Sequence, residues 1–481
     1  MLLTMPYAAS QMRTESRDGE DSATQASRFA GLKVHFIGIG GSGMSGLARM
    51  LLDSGAIVSG SEPKPNAQTF ELARKGVRIS RTQGGEHLSK ELDLVVRTAA
   101  VPESNPEFMA AKAYGIRHLK YAQLLGLVMA ERHGVAIAGT HGKSTTTAMT
   151  AFGLLECGAD PSFVVGGTVP QLGGGSRSGK GKAFIAEACE YDRSFHNLSP
   201  RVACITNIEA DHLDCYKDLD AIIESFRAFV NLVPADGLIL ANGQDANVAA
   251  AIADAPAMKQ TIALDAPATW STRVLSEQRG CFFGGISFEG KPVANIQLSV
   301  AGRHNLYNAT LAVAACWSCG IEPAQAAQAI GKFTGVDRRM TEVGRHQGAI
   351  IVDDYGHHPT EIRATLAALR ARYQPRRLIC VFQPHQASRT RLLLEDFGTC
   401  FADADLIILP EIYYVRDSDE ERSRIRAIDL VNQIMSHGKT ALHIPELPAI
   451  AEYLRQEARE GDLIVTMGAG TVNEVGRELV S

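Results

Sequence analysis

A glycine-rich stretch that ends in lysine and serine is the strongest chemical signal in the sequence. It begins at Gly139 and reads Gly-Thr-His-Gly-Lys-Ser-Thr-Thr-Thr, between an apolar run that ends at Ala138 and a predicted helix. Glycines let backbone N–H groups surround phosphate oxygens, and the helix N-terminus adds a positive dipole. Lys143 would reach the β- and γ-phosphates, and Ser144 would offer its hydroxyl to Mg²⁺. The stretch predicts a nucleoside triphosphate site, although Ile137 stands where the usual loop has its first glycine.

A second glycine pattern lies near the start of the chain. Its spacing from Gly38 to Gly43 is G-x-G-x-x-G, it follows the apolar run 34–37, and Glu62 stands 24 positions beyond Gly38. This arrangement is typical of a strand–turn–helix unit that binds the diphosphate of a dinucleotide. The pattern alone fits NAD, a UDP-sugar, or a tight turn without a ligand.

Acidic residues and one histidine follow two further apolar runs. Glu187 comes directly after the run 183–186, and His212 lies among carboxylates after the run 202–205. Ligands collect at the carboxyl ends of parallel strands, where both groups would lie. Carboxylates suit Mg²⁺, and a histidine can join them. Glu187 and His212 are therefore the predicted metal ligands.

Two polar stretches mark the last third of the chain. Residues 353–361 read Asp-Asp-Tyr-Gly-His-His-Pro-Thr-Glu directly after an apolar run, and this density of ionisable groups predicts a substrate or nucleotide role. Residues 382–391 contain Arg389, which could neutralise a carboxylate or phosphate. For this second stretch a surface loop is an equally open interpretation.

The elements that must position these groups alternate between strands and helices. Helices are predicted at 44–54, from near 144, and at 305–318, and residues 260–300 alternate as in a small antiparallel sheet. The repeated β-α-β order predicts three α/β domains in series. The apolar runs that indicate strands are 34–37, 57–60, 94–96, 135–138, 183–186, 202–205, 238–240, 349–352, 378–382, 406–409 and 463–466.

Composition excludes several classes of protein. The net charge of −5 gives no basic footprint for nucleic acid, and no apolar run reaches the roughly 20 residues of a membrane helix. Nine scattered cysteines fit a reducing compartment, and the C-x-x-C pair at Cys316 and Cys319 is interpreted as structural rather than as a redox or metal site. The first 30 residues are polar and lack the pattern of a signal peptide, which predicts a disordered tail and a cytoplasmic protein.

Taken together, these motifs resemble those of the Mur ligases, from about Lys33 to Gly476. Several independent motifs in the same order carry the resemblance, which makes it more specific than any one of them. Besides the two glycine loops and residues 353–361, they are Gly-Arg-His-Asn-Leu-Tyr-Asn-Ala at 302–309, Arg-Arg at 338–339 and Thr-Met-Gly-Ala-Gly at 466–470. The family implies a Rossmann-like UDP-binding domain, a central P-loop ATPase-like domain with a parallel sheet, and a C-terminal Rossmann-like α/β domain. We expect a tail at 1–30 and these domains at 31–132, 133–340 and 341–481.

The resemblance also implies roles for individual residues. The UDP-sugar would be bound by Gly38, Ile39, Gly40, Gly41, Ser42, Gly43, Met44, Ser61 and Glu62. ATP would be bound by Gly139, Thr140, His141, Gly142, Lys143, Ser144, Thr145, Asn305, Asn308, Arg338, Arg339 and Asp354. Mg²⁺ would be held by Ser144, Glu187 and His212, and the amino acid by Tyr355, His357, His385 and Arg389. The catalytic groups would be Lys143, Glu187, His212 and His357.

The family chemistry is the ATP-dependent joining of an amino acid to a carboxylate on a UDP-linked sugar. The branch that this chain resembles most adds L-alanine to UDP-N-acetylmuramate through an acyl phosphate, and we expect a monomer or weak homodimer. Gln386 stands where members often have arginine, and Cys189 and Tyr191 replace Asp and Ser of the usual metal stretch. The Glu-Tyr-Asp triplet at 190–192 instead resembles the branch that reattaches a recycled L-Ala-γ-D-Glu-diaminopimelate tripeptide. An NAD-dependent oxidoreductase and a non-catalytic nucleotide-binding regulator are more distant alternatives.

Overall fold

Three α/β units follow one another along the chain, each built around its own sheet. The computed structural model describes residues 27–86, 88–98 and 100–481. The sheets have five, ten and six strands, and in each of them the central strands are parallel and buried. This confirms the predicted fold class of three α/β domains in series.

The first unit is a parallel sheet in the order β3-β2-β1-β4-β5. The chain reverses its direction of winding between β1 and β4, and the glycine loop follows β1. This is the position at which open α/β sheets bind ligands. The elements are β1 Lys33–Ile37, α1 Ser42–Asp53, β2 Ile57–Ser61, α2 Ala67–Arg74, β3 Arg78–Ser80, β4 Leu94–Arg97, α3 Pro106–Ala113, β5 His118–Lys120 and α4 Tyr121–Met129.

The central unit has the sheet order β15-β14-β13-β12-β11-β10-β6-β9-β7-β8. Strand β6, which leads into the phosphate loop, lies between β9 and β10, which lead into the two acidic stretches. The strands and longer helices are β6 His133–Ala138, α5 Lys143–Glu156, β7 Ser162–Val164, β8 Ser176–Arg177, β9 Ala183–Glu187, β10 Val202–Ile205, α6 Leu219–Val230, β11 Leu238–Asn242, α7 Ala246–Ile252, β12 Met258–Leu264, β13 Trp270–Gln278, β14 Cys281–Phe288, β15 Lys291–Gln297, α8 Arg303–Ser318 and α9 Pro323–Ile330. Short 3₁₀ helices lie at Pro170–Leu172 and Tyr191–Asn197.

The third unit has the sheet order β16-β17-β21-β18-β19-β20, with only β16 antiparallel to its neighbour. Strands β17 and β18 flank β21 and carry the two polar stretches of this unit at their carboxyl ends. The elements are β16 Thr341–His346, β17 Ala349–Asp354, α10 Pro359–Tyr373, β18 Arg377–Phe382, α11 Ala387–Leu392, α12 Leu394–Thr399, β19 Leu406–Leu409, α13 Asp419–Ser423, α14 Ala427–Ser436, β20 Ala441–His443, α15 Leu447–Glu457, β21 Asp462–Met467 and α16 Asn473–Val480.

Two expectations need qualification. Within residues 260–300, strands β13, β14 and β15 pair antiparallel as predicted, but β12 pairs parallel with both β11 and β13 and extends the main sheet. Most of the predicted tail lies outside the described residues. Its described part, residues 27–30, packs on the fold, because Phe29 is buried and Ser27 and Arg28 bond to Glu131. These four residues therefore belong to the first unit rather than to a tail.

Candidate active site

The phosphate loop of the central unit runs from β6 into α5. Gly142 has a left-handed φ of 82°, and a Cβ there would lie 2.8 Å from Asn308 Oδ1 on α8. A side chain at this position would be strained and would collide with that neighbour. The glycine thus allows α8 to pack directly on the loop, which brings Asn305 and Asn308 to the predicted triphosphate site.

Lys143 is the cation of this loop. Its Nζ donates to the carbonyl oxygens of Gly139 at 2.6 Å and Thr140 at 3.0 Å and to Glu190 Oε1 at 2.9 Å. Burial alone would lower the pKa of Lys143, but the Glu190 carboxylate outweighs burial and raises it. The ammonium group is therefore charged and fixed within the loop.

Two of the three predicted metal ligands lie in direct contact, and the third lines the same cavity. The Ser144 hydroxyl donates to Glu187 Oε2 at 2.8 Å, and the Gly166 N–H donates to the same oxygen at 2.8 Å. His212 has a left-handed φ of 52°, and its Nε2 lies 3.6 Å from Glu190 Oε1. Its Nδ1 is buried and has no hydrogen-bond partner among the described residues.

Residues of the central and third units line one cavity of about 470 Å³, which we call the reaction cavity. The predicted residues in its wall are Thr140, His141, Gly142, Lys143, Ser144, Glu187, His212, Arg338, Arg339, Tyr355, His357, His385 and Arg389. The predicted metal, catalytic and amino-acid groups therefore line one shared cavity.

Asp354 is the last residue of β17, and His357 lies three positions further along the polar stretch. Asp354 accepts hydrogen bonds from the backbone N–H groups of Gly356 at 2.7 Å and Met340 at 2.8 Å, and burial raises its pKa to about 6. His357 Nδ1 lies 3.1 Å from the Tyr355 carbonyl oxygen. Burial and the nearby Arg389 charge lower the pKa of His357 to about 3, so the ring is neutral near pH 7. Because a carbonyl oxygen can only accept, Nδ1 carries the proton and Nε2 remains an acceptor.

Arg389 connects the third unit to the central one. Its Nε and Nη2 donate to Asp211 Oδ1 at 3.0 and 2.8 Å, and its Nη1 lies 3.1 Å from His385 Nδ1. Burial alone would raise the pKa of Asp211, but the guanidinium holds it well below its ordinary value. In this structure Arg389, one of the four predicted amino-acid residues, is thus occupied by a buried ion pair.

His141 forms a second charged connection between these units. Its Nε2 lies 3.5 Å from Glu209 Oε2, and its Nδ1 lies 3.4 Å from Glu361 Oε1 of the third unit. Burial alone would lower the pKa of His141, but the two carboxylates raise it to about 9. Thr360 strengthens the connection because its hydroxyl donates to Glu209 Oε2 at 2.7 Å.

A neighbouring cavity of about 300 Å³ extends from the phosphate loop along α8. Of the predicted ATP residues it is lined by His141, Gly142, Ser144, Thr145, Asn305, Asn308, Arg339 and Asp354. Asn305 and Asn308 are almost fully buried, and Asn308 Nδ2 donates to Asn305 Oδ1 at 3.2 Å. Gly139 lines neither of the two cavities.

The first glycine loop borders a third cavity, of about 280 Å³, between the first and central units. Of the predicted UDP-sugar residues, Gly41, Ser42, Gly43 and Met44 line it. The others lie away from it. Ile39 and Ser61 are fully buried, the Ser61 hydroxyl donates to Glu107 Oε2 at 2.5 Å, and Glu62 accepts from the Gly40 N–H at 3.1 Å. Lys120 and Asp192 also line this cavity, and Lys120 Nζ lies 3.6 Å from Asp192 Oδ2.

Several acidic groups of the site were not singled out from the sequence. Glu190, Asp211 and Glu209 lie in the two acidic stretches, and Glu361 ends the stretch after β17. Their positions gave a signal, because each follows a strand of a parallel sheet. Their partners gave none, because Asp211 and Arg389 are 178 positions apart in the chain.

Comparison with known proteins places all three units in one family. The model described as "Mur ligase family, catalytic domain" matches residues 33–133, "Mur ligase middle domain" matches 137–316, and "Mur ligase, glutamate ligase domain" matches 338–470. A protein of Caldanaerobacter subterraneus subsp. tengcongensis named UDP-N-acetylmuramate–L-alanine ligase is 40% identical over 93% of this chain and 97% of its own length. One of the same name from Acetivibrio thermocellus is 42% identical over 92% and 94%.

Solved structures agree with this assignment. The crystal structure of the UDP-N-acetylmuramate-alanine ligase of Thermotoga maritima matches with a TM-score of 0.75 and 26% identity, over 93% of this chain and 98% of that one. A murein peptide ligase of Psychrobacter arcticus matches over the same shares with a TM-score of 0.68 and 25% identity.

Proposed function

Because the chain belongs to the Mur ligase family, we propose that it is an ATP-dependent ligase that joins L-alanine to the lactyl carboxylate of UDP-N-acetylmuramate through an acyl phosphate. One observation carries this proposal. The reaction cavity combines the phosphate-loop lysine and the carboxylates of the central unit with the histidines and arginines of the third. Relatives with about 40% identity bear the name of the L-alanine ligase, which supports L-alanine as the amine donor.

The first step would be transfer of the γ-phosphoryl group of ATP to the carboxylate. A carboxylate is a poor acyl donor because its oxygen is a poor leaving group. Phosphorylation of that oxygen makes phosphate the leaving group, which departs readily. Catalysis of this transfer is mainly positioning and charge neutralisation. Lys143 is suited to the second task because it is charged and held by Glu190 and two carbonyl oxygens.

The donor set of the site fits Mg²⁺. Ser144 Oγ and Glu187 Oε2 provide hard oxygen atoms 2.8 Å apart, and His212 Nδ1 is a buried nitrogen without a partner among the described residues. We propose that these three residues hold Mg²⁺, directly or through water. When bound, the ion would offset negative charge on the phosphoryl group.

In the second step the neutral amine of L-alanine would attack the carbonyl carbon of the acyl phosphate. The amide C–N bond forms, the C–O bond to phosphate breaks, and the departing phosphate takes up the proton that the amine loses. His357 Nε2 can accept a hydrogen bond from the incoming amine because Nδ1 is committed to the Tyr355 carbonyl oxygen. A pKa of about 3 makes the His357 ring a weak base. We therefore propose that it orients the amine and does not act as the base that accepts the amine proton.

We assign the two remaining cavities to the ends of the two nucleotide substrates. The cavity along α8 would take the adenosine of ATP, with Asn305 and Asn308 in its wall. The cavity beside the first glycine loop would take the UDP part of the sugar nucleotide, with Ser42 and Lys120 in its wall. The cavity along α8 shares His141, Gly142 and Ser144 with the reaction cavity, which supports this place for the nucleotide whose phosphates would react there.

We also propose a cytoplasmic location. All nine cysteines are free thiols, as in a reducing compartment that also supplies ATP. No helix in the described part of the chain is long and apolar enough to cross a membrane. A monomer or weak homodimer stays a prediction.

Phosphate release from ATP and Mg²⁺ tests the proposal. UDP-N-acetylmuramate would be supplied with L-alanine, glycine, L-serine or the L-Ala-γ-D-Glu-diaminopimelate tripeptide in parallel, and the product identified by mass spectrometry. We expect release that requires both the sugar nucleotide and L-alanine. Release with the tripeptide alone would move the enzyme to the recycling branch, and no release with any amine would refute the ligase assignment.

A further inference from the structure

Arg416 is a residue of the reaction cavity that the proposed function leaves without a role. It lies in the third unit, in the loop between β19 and α13, and its side chain lines the cavity wall. Its guanidinium carbon lies 4.1 Å from the centre of the Tyr191 ring of the central unit. Its backbone is left-handed, with a φ of 66°. Such a conformation is costly for a residue other than glycine and is often found at functional sites.

The other cations of this cavity are already committed to hydrogen bonds. Lys143 is bound by Glu190, Arg338 by Asp353, Arg339 by Glu361 and Arg389 by Asp211. Arg416 has a weaker partner, because its Nε lies 3.8 Å from Asp214 Oδ2, and 38% of its side chain is exposed. Among the described residues of the cavity wall, Arg416 is thus the guanidinium that makes no hydrogen bond to a protein group, and its N–H groups are left for a ligand.

The described contacts of Arg416 are with Tyr191 and Asp214, on the side of the cavity that carries His385. Gln386 and His385 lie beside it, and Gln386 Nε2 contacts both Asp214 Oδ2 at 3.4 Å and the Val415 carbonyl oxygen at 3.3 Å. Arg416 helps to lower the pKa of His385 to about 4, after burial and Arg389, which leaves that histidine neutral. The free positive charge on this side of the cavity therefore belongs to Arg416 rather than to its neighbours.

We propose that Arg416 binds the α-carboxylate of the incoming amino acid and selects a free amino acid over an amine whose neighbouring carboxyl group is blocked. This rests on the proposed function. A guanidinium offers two parallel N–H groups that match a carboxylate, and this charge-assisted pair is stronger than a hydrogen bond to a neutral amide. In a peptide the same position carries an amide carbonyl without charge. Arg416 is therefore a specificity-determining residue.

Steady-state kinetics of Arg416→Gln against L-alanine and L-alaninamide test this inference. L-Alaninamide keeps the amine and the methyl group but lacks the carboxylate. We expect the KM for L-alanine to rise at least tenfold, whereas the KM values for ATP and UDP-N-acetylmuramate stay within twofold. The preference for L-alanine over L-alaninamide should fall by the same factor. Arg422→Gln is a matched control, because Arg422 lies over the Tyr414 ring at 5.3 Å but outside the cavity.

The outcomes separate this inference from the function on which it rests. An unchanged KM for L-alanine in Arg416→Gln, or an equal rise in all three KM values, would overturn the inference and leave the ligase assignment intact. Arg416→Lys, which keeps the charge but loses the parallel donors, should recover part of the affinity. A wild-type enzyme that releases no phosphate with any of the tested amines would instead refute the proposed function.

Discussion

Lys143 is the ammonium group of the phosphate loop. Its Nζ contacts are Gly139, Thr140 and Glu190, so its loss would remove the ammonium group that is hydrogen-bonded to the Glu190 carboxylate next to incoming phosphates. We expect Lys143→Met to lower kcat for phosphate release by about 100-fold or more, the range found when one transition-state donor is removed. Lys332→Met, at an exposed surface pair with Glu156, is the control and should retain wild-type activity. Wild-type activity in Lys143→Met would exclude it from catalysis.

Glu187 gives a prediction about metal dependence. Its Oε2 accepts from Ser144 and from the Gly166 N–H, and an amide in its place would lose the negative charge that favours Mg²⁺. In Glu187→Gln we expect the Mg²⁺ concentration for half-maximal activity to rise at least tenfold, with part of the activity restored at high Mg²⁺. A Mg²⁺ titration of phosphate release measures this. The same half-maximal concentration in both proteins would remove Glu187 from the metal site.

At the residue scale, local motifs could be predicted from the sequence and long-range pairs could not. The phosphate loop was recognisable because its glycines, lysine and serine lie within six consecutive residues, 139–144. The Asp211–Arg389 pair and the position of Arg416 over Tyr191 depend on how two units meet, which no local pattern encodes. The contact of the Ser61 hydroxyl with buried Glu107 is another long-range pair that the sequence did not indicate, and the role of Ser61 at the sugar-nucleotide site stays a prediction.

At the element scale, the site is built from the carboxyl ends of strands that lie side by side. Strands β9, β6 and β10 are neighbours and lead into Glu187, the phosphate loop and the stretch that contains His212. Strands β17 and β18 do the same for the third unit on either side of β21. This part of the site could be inferred from the order of apolar runs, because parallel strands place their ends at one edge. The way in which this edge of the central sheet faces the corresponding edge of the third sheet could not be inferred from the sequence.

The charged connection at His141 predicts a pH dependence. The ring lies between Glu209 and Glu361, with Arg339 and His358 nearby, and its pKa rises from 6.5 to about 9. This rise corresponds to roughly 3 kcal/mol of preference for the protonated form. Because the folded pKa is the higher one, the stabilisation is fully present below pH 6.5 and is lost as the pH rises to about 9.

Melting curves of wild type and His141→Gln measure this contribution. We expect the wild type to melt several degrees higher at pH 6, and the difference to shrink toward zero at pH 9.5. His346→Gln, at a half-buried histidine on β16 away from the three cavities, controls for the loss of an imidazole. A difference between wild type and His141→Gln that does not depend on pH would show that the ring acts without its charge.

At the scale of the whole molecule, the three units are joined in two different ways. One continuous apolar cluster runs from the first unit through Leu124 and Met129 of α4 to Phe184 and Phe195 of the central unit. The third unit has its own clusters on the two faces of its sheet. Its contacts with the central unit include the polar ones at Asp211, Glu209 and His141, together with one small apolar cluster of Cys281, Ala301 and Ala368. Polar interfaces of this kind permit relative motion, whereas a shared core does not.

Calorimetry tests this division through two core substitutions. Leu366 on α10 is fully buried in the third unit, and Phe226 on α6 is fully buried in the shared cluster. Replacement by alanine should cost roughly 2–5 kcal/mol for the leucine and roughly 3–5 kcal/mol for the phenylalanine. We expect two thermal transitions, with Leu366→Ala lowering only one and Phe226→Ala only the other, because the third unit can unfold without exposing the shared core. A single transition that both variants lower equally would show that the three units unfold together. The third unit would then not separate from the central unit before the shared core unfolds.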